Sequence, residues 1–178
     1  MKKTFVSAAF AVFACMLMAS SLWAQADKSS RPSPPATASG KIGAATITID
    51  YSSPSVKGRK IWGDLVPYGK VWRAGANEAT LFKTDNAIKI EGKTLPAGTY
   101  SLFALVGEKE WSFIFNSETG QWGVKQGGAA NQDPAKDVLT VKVKPVKSAS
   151  MNEKLVYAVT PKGFVLRWEN LEVPVGIQ

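Results

Sequence analysis

Beyond residue 40 the apolar side chains recur at every second position. In residues 45–51, Ile47, Ile49 and Tyr51 alternate with Thr46, Thr48 and Asp50, the pattern of a half-buried strand. Ser53-Pro54-Ser55 ends it. Residues 79–84 and 87–91 read as two short strands around Asp85-Asn86, a hairpin signal. Leu95-Pro96-Ala97-Gly98 turns the chain into a strand over 99–106. Trp111, Phe113 and Phe115 share one face of the next strand and Ile114 lies on the other. A strand apolar on both faces belongs in the middle of a sheet. Residues 120–137 read as loop, with Trp122 and Gly127-Gly128 inside it. In 138–146 Val141 and Val143 point one way, Lys142 and Lys144 the other. Residues 154–160 and 164–169 flank Pro161-Lys162-Gly163 as a second hairpin. Residues 171–177 close the sequence, with Pro174 favouring an edge position. No amphipathic helix is visible in this stretch. The pattern predicts an all-β fold, a single antiparallel β-sandwich or flattened barrel of about nine strands over 41–178. Trp111, Phe113, Phe115, Val141, Val143, Tyr157, Leu166 and Trp168 should be buried, because same-face neighbours on a strand share one environment.

The alternation is absent from the first 40 residues. Lys2 and Lys3 precede an almost wholly apolar stretch over 5–18, and Ala24-Gln25-Ala26 offers small residues at the two positions a signal peptidase reads. Residues 1–26 are therefore expected to be a cleaved signal peptide. An uncleaved anchor and a lipid on Cys15 are the competing arrangements. The polar Asp27-Lys28-Ser29-Ser30 argues against the first, and bulky Phe13 before Cys15 against the second. Residues 27–40, with Pro32, Pro34 and Pro35 and few bulky apolar side chains, read as a flexible Pro/Ser-rich linker. The expected location is secreted or periplasmic, with no membrane span once the leader is gone.

Composition narrows the chemistry. There is no His, which removes Ser-His-Asp and Cys-His triads and every His-based zinc site. Cys15 is the one cysteine, so the exported chain folds without a disulfide. The net charge of +8 drops by two with Lys2 and Lys3. A modest basic excess suits acidic partners such as anionic glycans or lipid headgroups. Scattered Lys on strand faces equally serves solubility and edge protection. Nothing in the sequence marks a nucleic-acid partner, a phosphate loop or a dinucleotide cofactor, and no cofactor is expected.

One segment follows neither period. Residues 59–80 hold Arg59, Trp62, Asp64, Tyr68, Trp72, Arg73, Asn77 and Glu78 between them. Long irregular connections in compact domains are often functional. Trp62, Tyr68, Trp72 and, further on, Trp122 could present aromatic faces to a sugar, or could pack in the core. Arg73 suits a carboxylate contact that would order the segment, with Glu78 the expected partner and Asp64 the alternative. Asp64 and Glu78 could also be the acid pair of a glycosidase, which needs carboxyls about 5–9 Å apart. Asp64, Asn77, Glu78 and Asp85 lack the spacing of a calcium loop, so no metal site is expected.

The runs Arg59-Lys60-Ile61-Trp62-Gly63 and Trp72-Arg73-Ala74-Gly75-Ala76-Asn77-Glu78-Ala79-Thr80 resemble the signature of domain of unknown function family 2911, a secreted bacterial family. Leu95-Pro96-Ala97-Gly98-Thr99-Tyr100-Ser101-Leu102, Trp111-Ser112-Phe113-Ile114-Phe115-Asn116 and Trp122-Gly123 continue the likeness, which runs from about Arg31 to the C-terminus. The resemblance implies an exported, mostly β domain and no activity. Three functions compete. The first is a ligand-binding or interaction module of the cell envelope, using Arg59, Trp62, Tyr68, Trp72, Arg73, Asn77, Glu78 and Trp122 for a glycan, another small ligand or an envelope protein. The second is a hydrolase built on Asp64 and Glu78. The third is a structural envelope protein.

Overall fold

The computed structural model describes residues 28–178. The expected signal peptide lies outside the described residues. Lys28–Ser30 make one turn of 3-10 helix in a first unit that ends at Arg31. The second unit, Pro32–Gln178, is all-β and sandwich-like. Its strands are β1 (Pro35–Ile42), β2 (Ala45–Ser52), β3 (Val71–Trp72), β4 (Thr80–Thr84), β5 (Ile88–Ile90), β6 (Lys93–Leu95), β7 (Gly98–Leu105), β8 (Trp111–Asn116), β9 (Asp137–Val143), β10 (Val146–Thr160) and β11 (Gly163–Gly176). The large antiparallel sheet runs β1-β2-β4-β7-β8-β9, and the two-residue β3 pairs with β7 beyond the end of β4. β10 and β11 form a separate long hairpin, and β5 and β6 a short one.

Period-two patterning decides what each face of the large sheet meets. Ile47, Ile49, Phe82, Leu102, Phe113, Phe115, Val141 and Val143 point to one face and join a continuous core with Leu155, Tyr157, Phe164, Leu166 and Trp168 of the β10–β11 hairpin. The Phe164 ring sits 5.8 Å from Phe82 and 5.6 Å from Phe113. All eight positions expected to be buried are buried. The opposite face carries a small apolar patch of Ala79, Phe103 and Ile114, touched by Val71 and Ala130. There the cover is the irregular chain between β8 and β9. Its polar groups meet the sheet through side-chain amides: Asn116 Nδ2 donates to the Asp133 carbonyl at 2.8 Å and to Asp137 at 2.7 Å, and Ser101 Oγ donates to Gln121 Oε1 at 3.3 Å.

Four sequence expectations change. The linker ends earlier, because β1 takes residues 35–42 into the sheet. Its small side chains resemble a tether in composition, yet smallness is what the packing requires. A Cβ at Gly40 would stand 2.9 Å from a methyl of Val159 on β10. The hairpin placed around Asp85-Asn86 does not form. β5 pairs with β6, while β4 lies between β2 and β7. The strand drawn over 138–146 ends at Val143. The two strands drawn over 164–169 and 171–177 are one, β11, facing a β10 whose register shifts near Asn152. The sheet does not close into a barrel, so the sandwich alternative holds. No helix among the described residues is long and apolar enough to cross a membrane.

Candidate functional site

Residues 53–79 leave the sheet after β2 and return at β4, and most of their backbone has no ladder partner. Such groups must be met some other way. Residues 53–56 run beside β10: Val56 N donates to Glu153 O at 2.7 Å, Leu155 N to Pro54 O at 2.9 Å, and Ser53 Oγ to Leu155 O at 2.7 Å. Next comes a tight turn in which Ile61, Trp62 and Val66 are buried and Val66 N donates to Ile61 O at 2.9 Å. Ala74 adopts φ 52° and Asn77 φ 57°. A positive φ is unusual for alanine and persists when neighbours over-determine it. Here the hydroxyls of Thr80 and Tyr157 both donate to Ala74 O, at 3.0 and 2.8 Å. Burial pushes the Tyr157 phenol well above its ordinary pKa, and the nearby Tyr51 adds to this.

Strand alternation through β3 splits its neighbours between the two faces. Val71 turns to the small patch and Trp72 to the aromatic core. Trp72 stacks on Trp168 with centroids 5.9 Å apart and planes 15° off parallel. Trp62 meets Trp72, Trp111 and Trp168 edge to face, at 6.1, 4.9 and 5.7 Å. Edge-to-face packing is the favoured geometry of aromatic pairs. The indole N–H groups of Trp62, Trp111 and Trp168 have no conventional acceptor. Indole faces are the weak acceptors that such a cluster offers instead.

Arg73 follows Trp72 and runs toward the irregular chain beyond β8. Gly123 makes room for it: a Cβ there would stand 2.2 Å from Arg73 Cδ and 2.8 Å from the Asn77 carbonyl oxygen. The same glycine donates its N–H to Asn77 O at 3.0 Å, Glu78 bridges to Trp122 through the backbone, and Asn77 Nδ2 donates to Ser33 O at 2.9 Å. Asn77 and Glu78 thus pin three separate stretches of chain together. That arrangement accounts for the Asn77-Glu78 and Trp122-Gly123 runs in the sequence.

Between residues 54–76 and the loop 124–130 lies an open cavity of about 740 Å³. Half-buried Trp72 supplies aromatic surface, with the buried Trp168 stacked against it, and Arg59, Lys70 and Arg73 supply cations. Among the described residues no Asp or Glu lines it. Arg59 is pinned by two carbonyls, Nε to Val56 O at 3.0 Å and Nη2 to Ser55 O at 2.5 Å. Arg73 is half-buried, its Nε is sealed from solvent, and no acceptor meets that N–H. Burial lowers its pKa from the ordinary guanidinium value, with no carboxylate opposing the shift. Arginine remains charged through such shifts.

The structure brings together only some of the residues singled out in the sequence. Arg59, Trp72 and Arg73 line the cavity. Trp62 packs behind Trp72 in the core and is not available to a ligand. Tyr68 is exposed over Gly63, and Trp122 is 49% exposed, but neither lines the cavity. A row of aromatic faces for a sugar is therefore not formed. Asn77 and Glu78 organise the chain behind the site. The expected Arg73–carboxylate pair is absent among the described residues, with Asp64 as with Glu78. The crowding of charge in residues 59–80 suggested that pair, but Asp64 points out from the exposed turn after Trp62 and Glu78 lies on the bridge to Trp122. Neither Asp64 nor Glu78 lines the cavity. No group of three or more Asp, Glu, His or Cys among the described residues could hold a metal ion. Sequence reasoning missed Lys70, Trp168 and the 124–130 loop as parts of the site. Trp168 reads as core, which it is, and only the stacking of Trp72 against it makes it a floor. Gly127-Gly128 was the visible signal for the loop.

A family model described as "Protein of unknown function (DUF2911)" matches residues 33–177. The chain belongs to the DUF2911 family. The DUF2911 match spans every residue that lines the cavity, from Ser33 to Trp168. No curated protein and no solved structure matches the chain.

Proposed function

We propose that this DUF2911 protein is an exported ligand-binding module of the cell envelope, with its site in the cleft between residues 54–76 and the 124–130 loop. The observation that carries it is the cavity itself. At about 740 Å³ it falls in the size range of small-molecule sites, about 300–1,000 Å³, and joins an aromatic floor to a few polar groups. Binding is favoured over hydrolysis because no acid among the described residues lines the cleft. Export is supported by the Lys2-Lys3 start, the apolar stretch and Ala24-Gln25-Ala26. Mass spectrometry of protein recovered from the envelope should then place the first residue at Asp27, and an intact Met1 would rule out cleavage.

The site is tested with a neutral apolar fluorophore, N-phenyl-1-naphthylamine. It should bind and accept energy from the tryptophan cluster beneath the cleft. With Cys15 removed the chain has no other thiol, so Ala129→Cys on the exposed rim can be labelled alone with a bulky maleimide. The labelled protein should lose the fluorophore while the unlabelled variant keeps it. Equal binding before and after labelling would place the probe outside the cleft and overturn the assignment.

A further inference from the structure

We infer that the ligand of this cleft carries an oxyanion, a carboxylate or a phosphate monoester, held by the Arg73 guanidinium, with its apolar body against Trp72. This inference rests on the binding reading above and adds the chemical class. Three observations support it. Arg59, Lys70 and Arg73 line one cavity in whose lining no acid is found among the described residues, which favours an anionic guest. Arg59 is locked to two backbone carbonyls, which spend two of its five N–H donors and fix the direction of the rest. Arg73 has its Nε out of solvent and no acceptor, although its stem is fitted against Gly123.

A buried charge costs free energy unless it is paired and hydrogen-bonded. Two other part-buried cations among the described residues are paired: Lys83 meets Asp50 at 2.6 Å and Arg167 meets Glu172 at 3.2 Å. Arg73 and Glu169 each keep a buried polar atom without a partner among the described residues, and of the two only Arg73 stands in the cavity. A planar guanidinium matches a carboxylate or phosphate through two parallel N–H···O bonds. An anion seated there would supply the acceptors that the protein withholds. The half-buried Trp72 indole next to it gives an apolar surface, which suits an acyl, alkyl or aryl body.

The test compares two probes that share an anilinonaphthalene body. N-phenyl-1-naphthylamine is neutral, and 8-anilinonaphthalene-1-sulfonate carries an anionic oxyacid. Arg73→Gln should weaken the sulfonate by about ten- to hundredfold, the range expected for hydrogen bonds to a charged group. The neutral probe should be unaffected, and added salt should weaken only the sulfonate. Melting of Arg73→Gln should not fall, since no protein partner is lost. Lys70→Gln, at an exposed position, reads the same electrostatics if Arg73→Gln does not fold. Displacement of the sulfonate by octanoate or by octyl phosphate supports the inference and tells the two sources apart. Displacement by neither overturns it. Equal loss of both probes, or a sulfonate affinity indifferent to both substitutions, also overturns it while the cleft remains a binding site. Failure of the wild-type protein to bind either probe would remove the binding reading as well.

Discussion

The two faces of the large sheet are covered in different ways. One meets the β10–β11 hairpin, whose own backbone groups are paired strand to strand, so its inner side chains are free to be large and apolar. The other meets the irregular chain between β8 and β9, whose backbone needs side-chain partners, and there the sheet offers Ser101, Asn116 and only a small apolar patch. Adjacent residues of β8 record the contrast, Phe113 looking into the hairpin and Ile114 into the loop. The cavity lies where the loop cover and the segment after β2 fail to close over β3. Regular cover excludes a ligand, and irregular cover leaves room for one.

The largest test of this contrast is Phe113→Ala. It should cost about 3–5 kcal/mol in urea unfolding, the usual cost of deleting a phenyl group from a close-packed core. Ile114→Ala should cost about 2 kcal/mol, the low end for such a truncation, because its surroundings are thinner and can settle. Equal losses at the two positions would break the contrast. The smallest effect is expected for Tyr157→Phe, which removes one of the two hydroxyls on Ala74 O and should cost about 1 kcal/mol at neutral pH. Its pH dependence is the sharper reading. Burial, then Tyr51, hold the Tyr157 phenol protonated in the folded protein above the ordinary 10.0, whereas the unfolded chain ionises there. The unfolded state then binds fewer protons, so this contribution is full below pH 10 and is lost as pH rises beyond it. Unfolding midpoints at pH 9, 10 and 11 should fall for the native chain and fall less for Tyr157→Phe. Identical slopes would show that the phenol is not what links the hairpin to the cleft wall at alkaline pH.

Much of the fold was legible because alternation is a local signal. Val141 and Val143 against Lys142 and Lys144 fix the inward face of β9 without help from the rest of the chain. β1 was illegible because three of its inward residues are the small Ala36, Ala38 and Gly40, and Gly40 is small because of Val159, a neighbour over a hundred residues away. The missed β5–β6 pairing is similar: Asp85-Asn86 is a good turn, and which strand it leads to depends on β7 having already claimed the edge of β4. In the site, residue types were readable and directions were not. Trp62 and Trp72 look alike in sequence, but one lies wholly in the core and the other at its margin. The Arg73 ion pair was the natural guess for an arginine among acids. What the residue types could not show is that the Arg73 stem packs against Gly123.

The joins between the segment after β2 and β10 have a further consequence, for the order of assembly. Ser53 Oγ reaches a carbonyl 102 positions later, and the Tyr51 hydroxyl accepts an N–H 106 positions later. Chains dominated by such distant pairings fold slowly, in about milliseconds to seconds, since loop closure must precede the contacts that reward it. Until Gly163–Gly176 is in place, Trp62, Trp111 and Phe113 lack the aromatic cover of Phe164 and Trp168. A nascent chain therefore presents this aromatic surface for most of its synthesis. The final hairpin is what covers that surface, and exposed apolar surface of this kind is what makes incompletely folded chains prone to aggregate.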